Sequence, residues 1–163
     1  MRIADTIQDS IVDGPGLRFV VFAQGCEFCC EGCHNQETWD AAGGTDVSVE
    51  EIIAQMLGNP LTDGLTLSGG EPFLQAADCA KIAHAAREHG LNVWVYTGYT
   101  FEQLLTETGA GFQELLRLTD VLIDGQFRLA ERSLNIKWRG SQNQRVIDVK
   151  KSLEAGEAVL LEV

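Results

Sequence analysis

Residues 64–96 read GLTLSGGEPFLQAADCAKIAHAAREHGLNVWVY. The stretch opens on a short apolar run, 64–67, and turns through Ser68-Gly69-Gly70-Glu71-Pro72. Apolar residues then recur at helical spacing over 72–89, and an apolar run, 92–96, closes it. Pro72 suits a first helical turn, where its missing N–H is no loss. Gly90 suits the cap that ends a helix. Strands alternating with amphipathic helices are the signature of an α/β fold.

The same alternation extends both ways. Residues 17–23 (LRFVVFA) read as a buried strand, followed by a glycine-rich, loop-like stretch over 24–46. Ser48 with Glu51 is a capping-box pattern, so a helix is expected over 49–57. Thr100 with Gln103 repeats that pattern and starts a helix at Phe101. Helical spacing resumes over 112–118. Strands are expected at 121–123 and 145–149, with a last one over the tail, 158–163. The unusual residues follow the strands: a cysteine cluster after the first, Ser68–Pro72 after the second, Thr97-Gly98 after the third and Asp124-Gly125 after the fourth. Parallel α/β folds put their sites at the C-terminal ends of strands. Four motifs are therefore expected on one rim.

The chain has 163 residues, is 45% hydrophobic and carries a formal net charge of −12. That length suits a single domain, 1–163. The acidity argues against nucleic acid and against an anionic membrane surface, both of which need a surplus of Lys and Arg. No run reaches the roughly 18 apolar residues of a membrane span, and the first ten residues lack the apolar core of a signal peptide. A cytoplasmic location is expected.

Four of the five cysteines, Cys26, Cys29, Cys30 and Cys33, fall within eight residues. Thiols this close in a reducing compartment point to metal rather than to disulfides. Two triads are open, Cys26-Cys30-Cys33 and Cys26-Cys29-Cys33. Thiolates suit iron–sulfur clusters and zinc alike. A structural zinc wants four protein ligands, which here would have to come from three cysteines and His34 in one short loop. Three thiolates on a four-iron cubane would leave one iron open to a substrate. Cys79 lies in a helical stretch and reads as a small buried hydrophobe. His84 and His89 read as structural.

Cys26-x3-Cys30-x2-Cys33, with Gly25, Gly32, His34-Asn35 and Thr38-Trp39 around it, resembles the cysteine loop of radical S-adenosylmethionine (SAM) enzymes. Within that superfamily it is most similar to the activating proteins of anaerobic ribonucleotide reductases. Ser68-Gly69-Gly70-Glu71-Pro72 is similar to the GGE motif of the superfamily. Tyr96–Thr100, Asp120–Phe127, Trp138–Arg145 and the Gly14-Pro15-Gly16-Leu17-Arg18 entry to the first strand also match the family. Phe28 stands where related proteins commonly carry a histidine.

The resemblance implies a partial, open (βα) barrel of five to six units. It implies that Cys26, Cys30 and Cys33 hold one [4Fe–4S] cluster whose fourth iron is chelated by SAM, with Cys29 a bystander. Gly69, Gly70 and Glu71 would hold the SAM ammonium group. Thr97 and Asp124 are further SAM candidates, and Gly32 and His34 would flank the adenine. The bland alternatives are an N-cap neighbour for Thr97 and an Asp-Gly turn for Asp124.

The implied reaction is reductive cleavage of SAM to methionine and a 5′-deoxyadenosyl radical, which makes a glycyl radical on a partner enzyme. The partner implied is anaerobic ribonucleotide reductase, and the electron source a low-potential donor such as flavodoxin or ferredoxin. The alternatives are an activase of a formate-lyase type enzyme and a zinc-binding module without chemistry.

Overall fold

The computed structural model describes residues 1–162. Its centre is one seven-stranded sheet: β1 (Arg2–Ser10), β2 (Arg18–Ala23), β3 (Thr45–Asp46), β4 (Gly64–Gly69), β5 (Asn92–Tyr96), β6 (Val121–Asp124) and β7 (Arg145–Asp148). The order across the sheet is β3-β1-β2-β4-β5-β6-β7. The four middle strands, β2, β4, β5 and β6, are parallel. On one edge β1 pairs antiparallel with both β2 and β3, and on the other β7 pairs antiparallel with β6. The sheet does not close, so the expected open, partial barrel holds.

Alternation along each strand separates two faces, because successive side chains point to opposite sides. Phe19, Val21, Leu65, Leu67, Val93, Val95, Leu122 and Ile147 join the larger apolar cluster with residues of the helices. These helices are α1 (Val49–Leu57), α2 (Ala76–Glu88), α3 (Phe101–Thr106), α4 (Phe112–Leu118) and α5 (Val149–Ala155). The alternate residues Trp94, Val121, Ile123 and Val146 form a second cluster on the other face. Trp138 closes that cluster, its ring meeting Trp94 edge-on at 5.6 Å.

Several expected elements form where the caps put them. The Ser48 side chain accepts from the Glu51 N–H at the start of α1. Thr100 and Gln103 make a reciprocal capping box on α3. Pro72–Gln75 is a 3-10 turn leading into α2. Four features depart from the sequence expectation, one being β3 inside the 24–46 stretch expected as a loop. β1 precedes the strand read as first. Its residues are mostly polar and half-exposed, so no apolar run announced it, and its order comes from pairing with β2. α5 follows β7 where no helix was expected. Asp148 caps it by accepting from the Lys151 N–H. The tail contributes only a bridge between Leu160 and Ile147, and Val163, where the expected last strand ended, lies outside the described residues. Among the described residues no helix is long and apolar enough to cross a membrane.

Arg18 opens β2 and is fully buried. Its guanidinium donates to Thr66 Oγ1 at 2.7 Å, to the Leu65 carbonyl at 2.8 Å and to the Pro15 carbonyl at 2.9 Å. It also lies 5.5 Å from the centre of the Trp94 ring. Burial pulls its pKa down to about 10, but the three acceptors and the ring face offset part of that cost. The Arg18 side chain thus ties the 14–18 turn to β4 on the face opposite the helices. Arg18→Met should lower the unfolding free energy by about 2–4 kcal/mol, because it strands buried acceptors. Urea unfolding checks this. A loss within error of zero would mean that Arg18 is not a structural tie.

Candidate functional site

The ends of the parallel strands meet in one cavity. Its lining includes Cys26, Cys30 and Cys33 after β2, Ser68 to Glu71 at the end of β4, Tyr96 to Gly98 after β5 and Gly125 to Phe127 after β6. The rim expected from the sequence is therefore a single concave surface.

Glu71 is its fixed point. The residue is 1% exposed. Its carboxylate accepts from the Gly98 N–H at 2.7 Å, the Phe73 N–H at 2.9 Å and the Thr97 hydroxyl at 2.8 and 3.0 Å. Burial pushes its pKa up to about 7, and the same hydrogen bonds hold it from going higher. The N–H groups of Gly70 and Glu71 are engaged by the carbonyls of Ala23 and Gly25, both at 2.8 Å. What this turn can still offer a ligand ammonium is carbonyl oxygen and whatever acceptor capacity remains on the Glu71 carboxylate. Gly69 has φ +92, and a Cβ there would lie 2.6 Å from the Ala23 nitrogen. Only glycine tolerates both.

The cysteine loop is pinned at both ends. The Gly25 N–H donates to the Thr38 carbonyl at 2.6 Å and the Cys26 N–H to the Trp39 carbonyl at 3.1 Å. The Cys33 N–H donates to the Cys30 carbonyl at 3.1 Å. Burial raises the thiol pKa of both Cys26 and Cys30, so the neutral forms are favoured until something captures a thiolate. Cys29 points elsewhere. It is exposed, has φ 48 and is not among the residues lining the cavity.

Other sequence candidates divide. His34 lines the cavity and meets Phe127 edge-on at 5.9 Å. Thr97 lines it and bonds Glu71. Gly32 is not part of the lining; a Cβ there would run into Leu129 at 2.8 Å. Asp124 is also outside this lining. Its buried carboxylate accepts from the Phe101 N–H at 2.8 Å and from Arg145 Nε at 3.1 Å. Arg145 in turn pairs with Glu102 at 2.6 Å. Asp124 therefore clamps β6 to β7 and to the start of α3, beside a neighbouring groove.

Phe28, Trp39, Gly140 and Gln144, noted in the sequence but given no place in the site, also line the cavity. Gln144 Oε1 accepts from the Gly140 N–H at 2.8 Å, and its Nε2 donates to the Gly125 carbonyl at 3.0 Å. That is the physical role of the 138–145 segment: a strap bound back onto the end of β6. The signals available in sequence were the family resemblance of Trp138–Arg145 and a cluster of amides, neither of which gave the segment a role. Phe28 meets Tyr99 edge-on at 5.1 Å and fills the space that Gly98 leaves.

The family model described as a 4Fe-4S single cluster domain matches residues 12–147. The anaerobic ribonucleoside-triphosphate reductase-activating protein of Enterobacteria phage T4 is 38% identical over 144 residues, spanning 83% of this chain and 86% of its own. The pyruvate formate-lyase-activating enzyme of Clostridium pasteurianum is 37% identical over 128 residues, covering 75% of this chain and 50% of its own. Among solved structures, QueE from Escherichia coli shares the fold, with a TM-score of 0.50 over 76% of this chain and 69% of that one at 14% identity.

Burial raises the Glu71 pKa from the ordinary 4.5 of an exposed glutamate to about 7 in the folded chain. The folded chain holds that proton more tightly, so its contribution to stability is full below about pH 4.5 and is lost as pH rises through about 7. Thr97→Ala removes a donor to the charged form and should move the Glu71 midpoint above the wild-type value. The carboxyl carbon-13 shift of Glu71 in cluster-free protein reads this directly. An unchanged or lower midpoint would remove Thr97 from this role.

Proposed function

Because the chain belongs to the family of anaerobic ribonucleoside-triphosphate reductase-activating proteins, we propose that it is a radical SAM activase that generates a glycyl radical on a partner enzyme, an anaerobic ribonucleotide reductase. The observation that carries this reading is that Cys26, Cys30 and Cys33 share one cavity with the Ser68–Glu71 turn, while Cys29 stays outside it.

The donor set fits one iron–sulfur cluster per chain. Thiolates are the ligands such clusters take, and three of them face the cavity. Among the described residues no three His, Cys, Asp or Glu side chains are set around a point where one ion would sit. A cubane takes its thiolates on separate irons, and three cysteines lining one cavity can supply them. When bound, the cluster and SAM would supply a low-potential electron and the radical that takes hydrogen from a partner glycine.

The chain's own residues bind, orient and exclude water. Cys26, Cys30 and Cys33 hold the iron. The carbonyls around Gly69 and Gly70, with Glu71, receive the SAM ammonium group. Thr97 and the Gly98 N–H keep Glu71 facing the cavity. His34 and Phe127 form an aromatic wall suited to the adenine, with Gly32 behind them. Asp124 acts through Arg145 and Phe101 to keep β6 and β7 in register, rather than by touching SAM in this arrangement. The open side of the sheet leaves a path for a macromolecular partner. The electron would come from a low-potential protein donor of the flavodoxin or ferredoxin class.

Anaerobic reconstitution with iron and sulfide, then reduction with SAM, should yield 5′-deoxyadenosine from wild type and from Cys29→Ala. Cys26→Ala, Cys30→Ala and Cys33→Ala should fall to background. Adding an anaerobic ribonucleotide reductase should give the doublet of a glycyl radical by electron paramagnetic resonance. One zinc per chain with no acid-labile sulfide, and no 5′-deoxyadenosine, would contradict the activase reading. Activation of a formate-lyase type enzyme alone would change the partner only.

A further inference from the structure

Backbone hydrogen bonds hold Trp39 beside the first cysteine. Its carbonyl accepts the Cys26 N–H at 3.1 Å, and its own N–H donates to the Gln36 carbonyl at 3.2 Å. The side chain lines the same cavity as Cys26, Cys30 and Cys33. Its indole Nε1 is buried and finds no hydrogen-bond partner among the described residues. Buried tryptophan N–H groups usually find a partner, and leaving that bond unmade is costly. The indole can only donate, so whatever satisfies it must be an acceptor.

No acceptor of the cavity makes a hydrogen bond to it in this structure. Neutral thiols accept weakly. Sulfur that carries charge is different, because hydrogen bonds to ionised acceptors are roughly twice as strong. Cluster sulfurs held by these three cysteines would put such an acceptor beside Trp39.

We propose that the Trp39 indole N–H is a hydrogen-bond donor to a sulfur of the cluster and makes the cluster easier to reduce. The inference rests on the reading of Cys26, Cys30 and Cys33 as cluster ligands. Reduction adds negative charge to the sulfurs, and a donor aimed at them favours the reduced form. Trp39 would thus set how readily the electron is loaded, without handling the partner's glycine.

The test uses reconstituted full-length protein without SAM. In wild type labelled with nitrogen-15 tryptophan, pulsed electron paramagnetic resonance of the reduced cluster should show a coupled nitrogen-15. Trp94 and Trp138 pack against each other on the inner sheet face, so loss of the coupling in Trp39→Phe assigns it. The same variant should have a more negative reduction potential, measured on the fraction that carries cluster. If Trp39→Phe assembles no cluster, the sulfur analogue 3-benzothienylalanine at position 39 keeps the ring shape and removes only the N–H. It should show the same negative shift.

A potential unchanged in both variants, with no coupling in wild type, overturns the inference while the cluster itself stands. A coupling that appears only after SAM is added, with weakened SAM binding in Trp39→Phe, also overturns it and gives the N–H to SAM. Wild type that assembles no cluster removes the underlying reading and this inference with it.

Discussion

The buried carboxylate of Glu71 is the constraint on which the rim depends. It sits at the end of β4 and binds the Thr97 hydroxyl and the Gly98 N–H after β5, as well as the Phe73 N–H at the start of its own turn. Two adjacent parallel strands are therefore locked at the ends where the site forms. The lock has an electrostatic cost, visible in a pKa raised to about 7 by burial. A charge so placed is kept only where its hydrogen bonds are made. The backbone N–H groups of Gly70 and Glu71 close the same turn against the carbonyls of Ala23 and Gly25, next to the first cysteine.

Around this fixed point the rest of the site is assembled from loops tied back to the frame. The cysteine loop is held through Thr38 and Trp39. The 138–145 strap is held through Gln144 onto Gly125 and through Asn143 Nδ2 onto the Gln126 carbonyl at 2.7 Å. Asp124 and Arg145 join β6 to β7 below that strap. The site thus combines a rigid strand rim with short tethered loops, as expected where a cofactor must be oriented and shielded from water. The helices pack on one face of the sheet only, which leaves the other face to Arg18, Trp94 and Trp138.

Much of this was legible from local chemistry. Ser48 with Glu51 and Thr100 with Gln103 mark helix starts because each orphan N–H finds its acceptor three residues away. The strand at 92–96 is readable because its apolar residues are continuous. The cysteine spacing and the Gly69-Gly70-Glu71 turn were readable because both motifs are contiguous. β1 was not, because its polar residues gain order only by pairing with β2. The short helix α5 was hidden by its length, although Asp148 and Gly156 mark its ends. Long-range partnerships were invisible too. Nothing near Asp124 announces Arg145, and nothing near Trp39 says that its indole lacks an acceptor.

The proposed site needs three cysteines to hold a four-iron cluster with one iron open to SAM. Mössbauer spectroscopy of iron-57 protein, with and without SAM, tests it most directly. One iron of the cubane should change its parameters on addition of SAM while the others keep theirs. A cluster whose irons are all unmoved by SAM, or a protein that takes up zinc and no iron–sulfur cluster, would contradict it.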